Sequence, residues 1–412
     1  MQKVAVKNVN ELITSFRLIY GDNFNSQIAR YQKVFDDFKA FYGVEGAYFS
    51  SSSGRVEVIG NHTDHNGGFV ISSAINLDTI CAFYPNTENI IRIKSNGYDD
   101  IVLNLDDDFS YCKGTSRSLV CGIISIMKQK GYNVGGFNAC VDTNVLCGVG
   151  ISSSASFELL IVEIFNFLHN ESKINCYEKA LISQCAEREF FGKPCGILDQ
   201  ASISYGGLNL LDFSNEKLVN VSKINNAQDF SFVLINTGSS HEDLTGEYAK
   251  IPFDMKKVSE FFNKDKLINV DYNEFKVEAD KLKELLGEDV VLRAEHFFEE
   301  NLRVIKACDY LNNKEIDKFI DAINQSGKSS IHKLKNCSVL GENKQPIIDA
   351  INLIKQFIKD GAVRVHGGGF AGSVLCVVKN ENLNTFMSDA KKRFSEKDVM
   401  VLSIRDVGSI IL

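Results

Sequence analysis

GRVEVIGNHTDHNGG, residues 54–68, is the stretch on which the reading of the whole chain turns. Val56, Val58 and Ile59 supply strand propensity, and Gly60 ends the strand. Asn61, His62, Asp64, His65 and Asn66 then follow with almost no apolar residue between them. A solvent turn rarely carries so many hydrogen-bonding side chains, so the loop reads as a surface able to recognise a polyol. The plainer reading is an Asn-Gly turn capped by Asp64, and a motif this short does not by itself decide between them.

The rest of the chain sets the frame. Its 412 residues exceed the ~250 to 300 at which a single core stops growing, so two lobes with a cleft are expected. A hydrophobic content of 44%, a charged content of 24% and only 4 Pro describe a globular enzyme rather than a disordered or fibrous chain. The net charge of -8, with Lys mixed among Asp and Glu, offers no basic face to displace counterions, and no nucleic-acid partner is expected. An anionic substrate must then be held by local donors such as backbone N–H groups, an Arg or a metal ion. The 11 cysteines are scattered with no CxxC pair, which suggests neither a disulfide framework nor a zinc site but buried small hydrophobes in a reducing compartment. No apolar run approaches the ~18 residues of a membrane span, and MQKVAVKNVNELITSF has no apolar signal core. A cytoplasmic monomer with no membrane contact is the expectation.

On either side of the opening stretch the periodicity is legible. Residues 10–42 carry apolar positions at three-and-four spacing and read as two helices, residues 69–85 as a strand, and residues 89–105 as two strands about an Asn-Gly turn. A helix near 118–132 and a strand near 135–146 follow. Gly148 to Ser156, GVGISSSAS, then leads into FELLIVEIFNFLH, apolar almost all round and so a buried helix. A Gly- and Ser-rich loop at a helix N-terminus suits an anion, because the Gly residues let backbone approach and the unpaired first-turn N–H groups and helix dipole face it. It is no Walker A loop, since no Gly-Lys-Ser/Thr follows, and a Ser-rich N-cap is the plainer alternative. Residues 176–192 read as an amphipathic helix, and Glu187 and Asp199 are the carboxylates placed to serve as metal ligand or base. By spacing alone Glu187 is a solvated helix position. A second domain is expected to begin near residue 216, mostly helical from 270 to 360.

AVRVHGGGFAGSVLCVV, Ala362 to Val378, contains a GxGxxG at Gly367, Gly369 and Gly372. A dinucleotide-binding fingerprint should open a helix and be followed by an acid ~20 residues on. Here a strand follows, near the C-terminus, and that reading is set aside.

Taken together these stretches resemble a known family. GRVEVIGNHTDHNGG is similar to the sugar-binding signature of galactokinases, GRVNLIGEHTDYNGG, with Asn61 for Glu and His65 for Tyr. GVGISSSAS resembles the GLSSSAS phosphate loop of the GHMP kinases, with Leu146 where a Pro is usual. AEREFFGKPCGILDQ resembles AExxFxGxPCGIMDQ, and VRVHGGGFAGS resembles RMTGGGFGGC with His366, Ala371 and Ser373 as replacements. The resemblance covers residues ~25 to 380. It implies a two-domain GHMP kinase fold: an α/β N-terminal domain of ribosomal S5 domain 2-like type (1–215), and an α+β ferredoxin-like C-terminal domain (216–412). Sugar and ATP would lie between them, and the anomeric hydroxyl of galactose would be phosphorylated.

The resemblance also implies roles. Asp199 would orient or deprotonate the C1 hydroxyl and Arg55 would neutralise charge on the transferred group. Asn61, His62, Asp64, Gly196 and Tyr248 would address the sugar, with His241 near Tyr248 in the matching HSLASSEY segment. Gly148, Gly150, Ser152, Ser153, Ser154 and Ala155 would cradle the ATP phosphates, Ser154 and Glu187 would hold Mg²⁺, and the third stretch would steady the phosphate loop. Asn61 lacks the charge of the family's Glu and can donate, which with His65 admits galacturonate or N-acetylgalactosamine as an alternative substrate. A non-catalytic galactose/ATP sensor is a further alternative, disfavoured by the complete serine loop.

Overall fold

A computed structural model describes residues 4–109, 112–215, 218–224, 229–238, 245–338, 345–370 and 372–412. His241 and Ala371 lie outside them. The chain opens with two helices, α1 (Ile13–Tyr20) and α2 (Asn25–Tyr42). Tyr31, Val34, Phe35 and Phe38 of α2 recur at helical spacing and are buried, and Gly43 closes the helix in the left-handed conformation. Two long strands follow, β1 (Tyr48–Ile59) and β2 (Phe69–Pro85), antiparallel and joined by the polar loop that opened the sequence analysis. Then come β3 (Ile90–Ser95), β4 (Ile101–Asn104), α3 (Ser116–Gln129), β5 (Phe137–Thr143), α4 (Ser153–His169), α5 (Cys176–Ala186), α6 (Leu198–Tyr205), β6 (Leu208–Asp212) and β7 (Asn220–Lys223).

The remaining described elements are β8 (Phe230–Asn236), α7 (Thr245–Phe261), α8 (Tyr272–Leu286), α9 (Glu288–Asn312), α10 (Ile316–Ser329), α11 (Pro346–Ile354), β9 (Ala362–Val365), β10 (Ser373–Lys379), α12 (Asn380–Arg393), β11 (Val399–Leu402) and β12 (Ile410–Ile411). They make two sheets. The larger runs β12-β1-β2-β5-β3-β4, with β6 paired to β2 and β7 to β6; the smaller runs β11-β8-β10-β9, antiparallel throughout. Numbered within its own half the smaller sheet has the order 4-1-3-2, that of a ferredoxin-like βαββαβ unit with a helical insertion after its first strand. β7 and β12 lie beyond residue 215 yet pair into the larger sheet. β9 and β10 flank the triple-glycine stretch as an antiparallel pair, so no helix follows it.

α4 is buried along nearly its whole length. It packs on β1 and β2. α9 braces the opening of the β1–β2 hairpin: Glu300 accepts from Gly60 N (3.1 Å) and Asn301 from Phe69 N (2.8 Å). These buried side chains satisfy backbone donors that the splayed hairpin end leaves outside the ladder. The cysteines are all free, and Cys147, beside the serine loop, is exposed rather than buried. Among the described residues no helix is long and apolar enough to cross a membrane.

Candidate active site

The end of β1 is irregular. Register shifts fall between Ser53 and Arg55 and between Glu57 and Ile59, and such bulges re-aim side chains near sites. Arg55 is thereby turned toward Asp199, on the first turn of α6. Its Nε and Nη2 lie 2.8 and 2.6 Å from Asp199 Oδ1, and Nη1 donates to the Gly150 carbonyl at 2.5 Å. Ser152 Oγ donates to Asp199 Oδ2 at 2.6 Å. Burial would raise the Asp199 pKa, but Arg55, Lys193 and the bonds from Ser152 and Arg55 outweigh it and hold this carboxyl below its ordinary value.

Ser152 ends the loop with a left-handed backbone (φ 65°) just before α4 begins at Ser153. A non-Gly residue there is strained by roughly 1–2 kcal/mol, and such strain persists where surrounding contacts over-determine it. The N–H groups of Ser153, Ser154 and Ala155, in the first turn of α4, have no partner within the helix, and Gly148 and Gly150 precede them with positive φ. This is the geometry of a phosphate cradle.

Ser154 Oγ points to the next acid, donating to Glu187 Oε1 at 2.8 Å. Glu187 is buried at the point where α5 widens into one π turn, Glu187–Phe191, an irregularity common at functional sites. The solvated position suggested by helix spacing is therefore corrected: the turn points the side chain inward. Lys193 Nζ (2.9 Å) shares Oε1, while Gln200 Nε2 (2.8 Å) and Cys195 Sγ (3.1 Å) donate to Oε2. Burial would lower the Lys193 pKa, yet Glu187 and Asp199 raise it, so it stays an ammonium. A carboxylate and a hydroxyl in contact are oxygen donors of the kind that suit Mg²⁺. The half-exposed Lys193 is the group that would yield Oε1 to it.

The polar loop lies against this centre. A Cβ on Gly196, three residues before Asp199, would sit 2.5 Å from Asp64 Oδ2, so only Gly allows the two segments to meet. Asp64 Oδ1 faces His65 Nδ1 at 3.0 Å. The His62 ring lies 5.1 Å from that of Tyr248, on the first turn of α7. The Tyr248 hydroxyl is pushed well above its ordinary pKa by burial, with the charges of Asp64, Asp199 and Glu57 adding to the effect.

Asn61 differs from the expectation of a free donor. Its Nδ2 donates to Glu57 Oε1 (2.9 Å) and to the Gly367 carbonyl (2.7 Å), and its Oδ1 accepts from Asn336 Nδ2 (2.7 Å). Both facing groups at Nδ2 are acceptors, which fixes the amide's orientation. With both N–H groups engaged in a fully buried side chain, Asn61 has no spare donor for a sugar acid, and the argument for galacturonate built on it loses its footing. The family string quoted above has Asn where this chain has Glu57 and Glu where it has Asn61. The differences at positions 57 and 61 are thus one exchange between touching side chains, and the sequence alone, read at position 61, showed only a lost charge. Glu57 pairs with the fully buried Arg364 (3.0 Å), which also donates to the Val58 carbonyl (2.8 Å). Lys193 was missed too; it sits at a free position of the matching segment, and only its neighbourhood reveals it.

The triple-glycine stretch ties both loops together. Its carbonyls at Gly367 and Gly368 accept from Asn61 and His62, and Ser373 Oγ donates to the Val149 carbonyl at 2.7 Å. A Cβ on Gly368 would meet the Tyr248 ring at 2.6 Å. Among the described residues no cluster of three His, Cys, Asp or Glu side chains is arranged to hold a metal.

The comparisons agree with this architecture. Residues 118–207 match the GHMP kinases N terminal domain, which defines the class. Residues 36–85 match the galactokinase galactose-binding signature. The chain is 30% identical over 377 residues to a galactokinase of Clostridium acetobutylicum, covering 89% of this chain and 93% of that one. It is 29% identical over 399 residues to a galactokinase of Clostridium tetani, covering 94% and 93%. The crystal structure of Lactococcus lactis galactokinase complexed with galactose superposes with a TM-score of 0.80 at 22% identity, covering 93% of this chain and 100% of that one. The chain belongs to the galactokinase family.

Proposed function

We propose that the protein phosphorylates the anomeric hydroxyl of galactose with ATP. The observation that carries this reading is the closed set of contacts Ser152–Asp199–Arg55–Gly150, which joins the phosphate cradle to a carboxylate beside the Asp64 loop. Asp64, Gly196, His62 and Tyr248 face the sugar, and Asn61 acts through Glu57 and the Gly367 carbonyl. The N–H groups from Gly148 to Ala155 receive the phosphates. Mg²⁺, held by Ser154 and Glu187, would supply charge neutralisation on the phosphate oxygens. Lys193 stands beside it.

Phosphoryl transfer passes through a loose transition state, so positioning and charge do most of the work. Asp199 is a weak resting base, because Arg55 and Ser152 hold its pKa down. It serves first to orient the C1 hydroxyl and accepts the proton late, when the bond to phosphorus is forming. Arg55 then faces the transferred group across the Gly150 carbonyl.

ADP release measured across galactose, galacturonate, N-acetylgalactosamine and glucose, with ATP and Mg²⁺, tests the assignment. Galactose should be fastest, and because a site built around a hydroxyl rejects analogues by ~10⁴ or more, the margin should be large. Faster turnover of galacturonate or N-acetylgalactosamine would overturn it. Galactose binding without sustained ADP formation would indicate a sensor.

A further inference from the structure

Asp64, His65 and His62 form a line of short polar contacts across the sugar loop, one ion-pair distance followed by two hydrogen bonds. Asp64 Oδ1 lies 3.0 Å from His65 Nδ1, His65 Nε2 lies 3.3 Å from His62 Nδ1, and His62 Nε2 lies 2.9 Å from the Gly368 carbonyl. Both ends of the line are acceptors, since a carbonyl and a carboxylate bring lone pairs only. The two hydrogen bonds use the single proton of each neutral imidazole, which would leave the lone pair of His65 Nδ1 facing Asp64 Oδ1 at 3.0 Å, and an attractive contact there needs one more proton. One further proton must reside on Asp64, His62 or His65.

The surroundings select its place. His62 is 3% exposed, and burial together with the neighbouring His65 charge lowers its pKa to about 3. Burial would raise Asp64, but the charge of His65 and its hydrogen bond outweigh it and bring Asp64 to about 2. For His65 burial works against the cation, yet Asp64 overcomes it and raises the pKa above the ordinary value, with Glu57 of β1 adding to the effect. The other titratable groups facing the line are Tyr248 of α7, beside the His62 ring, and His296 of α9, whose charge would oppose one on His62. His65 is thus the residue whose surroundings favour the further proton, with one ring nitrogen facing Asp64 and the other His62. The tyrosine found here in the family string has a single proton to give and cannot bridge two acceptors.

We propose that His65, as a cation, is the positioning residue that pins Asp64 through one carboxylate oxygen and leaves Oδ2, above Gly196, free for a sugar hydroxyl, so that sugar affinity depends on one proton at His65. The proposal rests on the sugar-kinase reading above. When His65 loses its proton the line is one short, two acceptors face each other, and Asp64 is released. Sugar binding weakens, while turnover at saturating sugar, set by Arg55 and Asp199, does not change. A hydrogen bond to a charged group accounts for roughly tenfold or more in affinity.

Two measurements on the full chain test it. The first is a ¹⁵N spectrum of histidine-labelled protein without ligand at neutral pH. It should show one ring protonated at both nitrogens, a signal absent from His65→Tyr and from His65→Gln, the second variant guarding against a folding failure of the first. The second is galactose affinity by calorimetry, with KM and kcat, from pH 6 to 9. Kd and KM should rise roughly tenfold across the titration of His65 at nearly constant kcat, and the profile should flatten in whichever His65 variant folds. A flat profile in the parent, a slope that survives in the variant, or no doubly protonated ring overturns the proposal. Absence of galactose binding at every pH overturns the sugar-kinase reading itself, and is told apart because the ¹⁵N spectrum still reports the state of His65.

Discussion

Asp199→Asn is a change of one atom at the centre of the site. Arg55 reaches Oδ1 through two nitrogens at 2.8 and 2.6 Å, and Ser152 reaches Oδ2 at 2.6 Å. An amide has a single oxygen, which must stay on Arg55 because the guanidinium only donates, and its NH₂ then donates to the Ser152 hydroxyl in place of the bond Ser152 gave. Two losses follow. Without a group to orient the C1 hydroxyl and accept its proton, kcat should fall by ~10² to 10⁴. Arg55, 7% exposed, also loses its counter-ion. Removing one member of a buried pair altogether costs about 3–5 kcal/mol, and an Asn that keeps one bond should cost roughly 1–3 kcal/mol, visible as a lower melting temperature with the cooperative transition intact. ADP release at saturating galactose and ATP reads the first effect, a thermal melt the second. Because Asp199 is held below the ordinary carboxylate range of ~3.9, the parent should show no acid limb from this group between pH 5 and 9. A folded Asp199→Asn enzyme within tenfold of parental kcat would refute the reasoning. So would an acid limb near pH 6 that disappears in the variant.

Other expectations follow from the same contacts. Glu57→Asn alone strands the buried Arg364 and should cost about 3–5 kcal/mol, whereas Glu57→Asn with Asn61→Glu should recover most of it; thermal melts of the four proteins give the coupling, and strict additivity would contradict the exchange. Gly196→Ala places a carbon 2.5 Å from Asp64 Oδ2 and should raise galactose KM at least ~10-fold with ATP KM unchanged; equal galactose KM values would show that Asp64 is not at the sugar. His62, neutral in the fold with a pKa of about 3, contributes stability present above its ordinary ~6.5 and lost as pH falls toward 3. His62→Gln should therefore have the shallower decline of melting temperature over that range, and an unchanged slope would argue against a neutral buried His62.

Much of this was legible because it is local. The strand-to-loop change at Gly60, the Gly and Ser run before α4, and the strand after the triple glycine are each written in adjacent residues, and short-range chemistry governs each. What stayed hidden depends on partners far along the chain. Asn61 looks like a lost charge until Glu57, Gly367 and Asn336 are seen around its amide. Glu187 looks solvated until the π turn rotates it inward toward Ser154. β12 is two residues long and gains its identity from Ser50 and Ser51 of β1, more than 350 positions earlier; no propensity marks so short a strand. The relay through His65 is likewise invisible in HTDH, since its far end is a carbonyl at Gly368.

The central claim is that the Asp64 loop and the serine cradle form one site that delivers a nucleotide's terminal phosphate to C1 of galactose. The most direct measurement is the NMR spectrum of the product formed from [1-¹³C]galactose, ATP and Mg²⁺. The account predicts that the labelled carbon becomes coupled to phosphorus while ADP accumulates in equal amount. A phosphate on any other carbon, or ADP formed with the sugar unchanged, would contradict it.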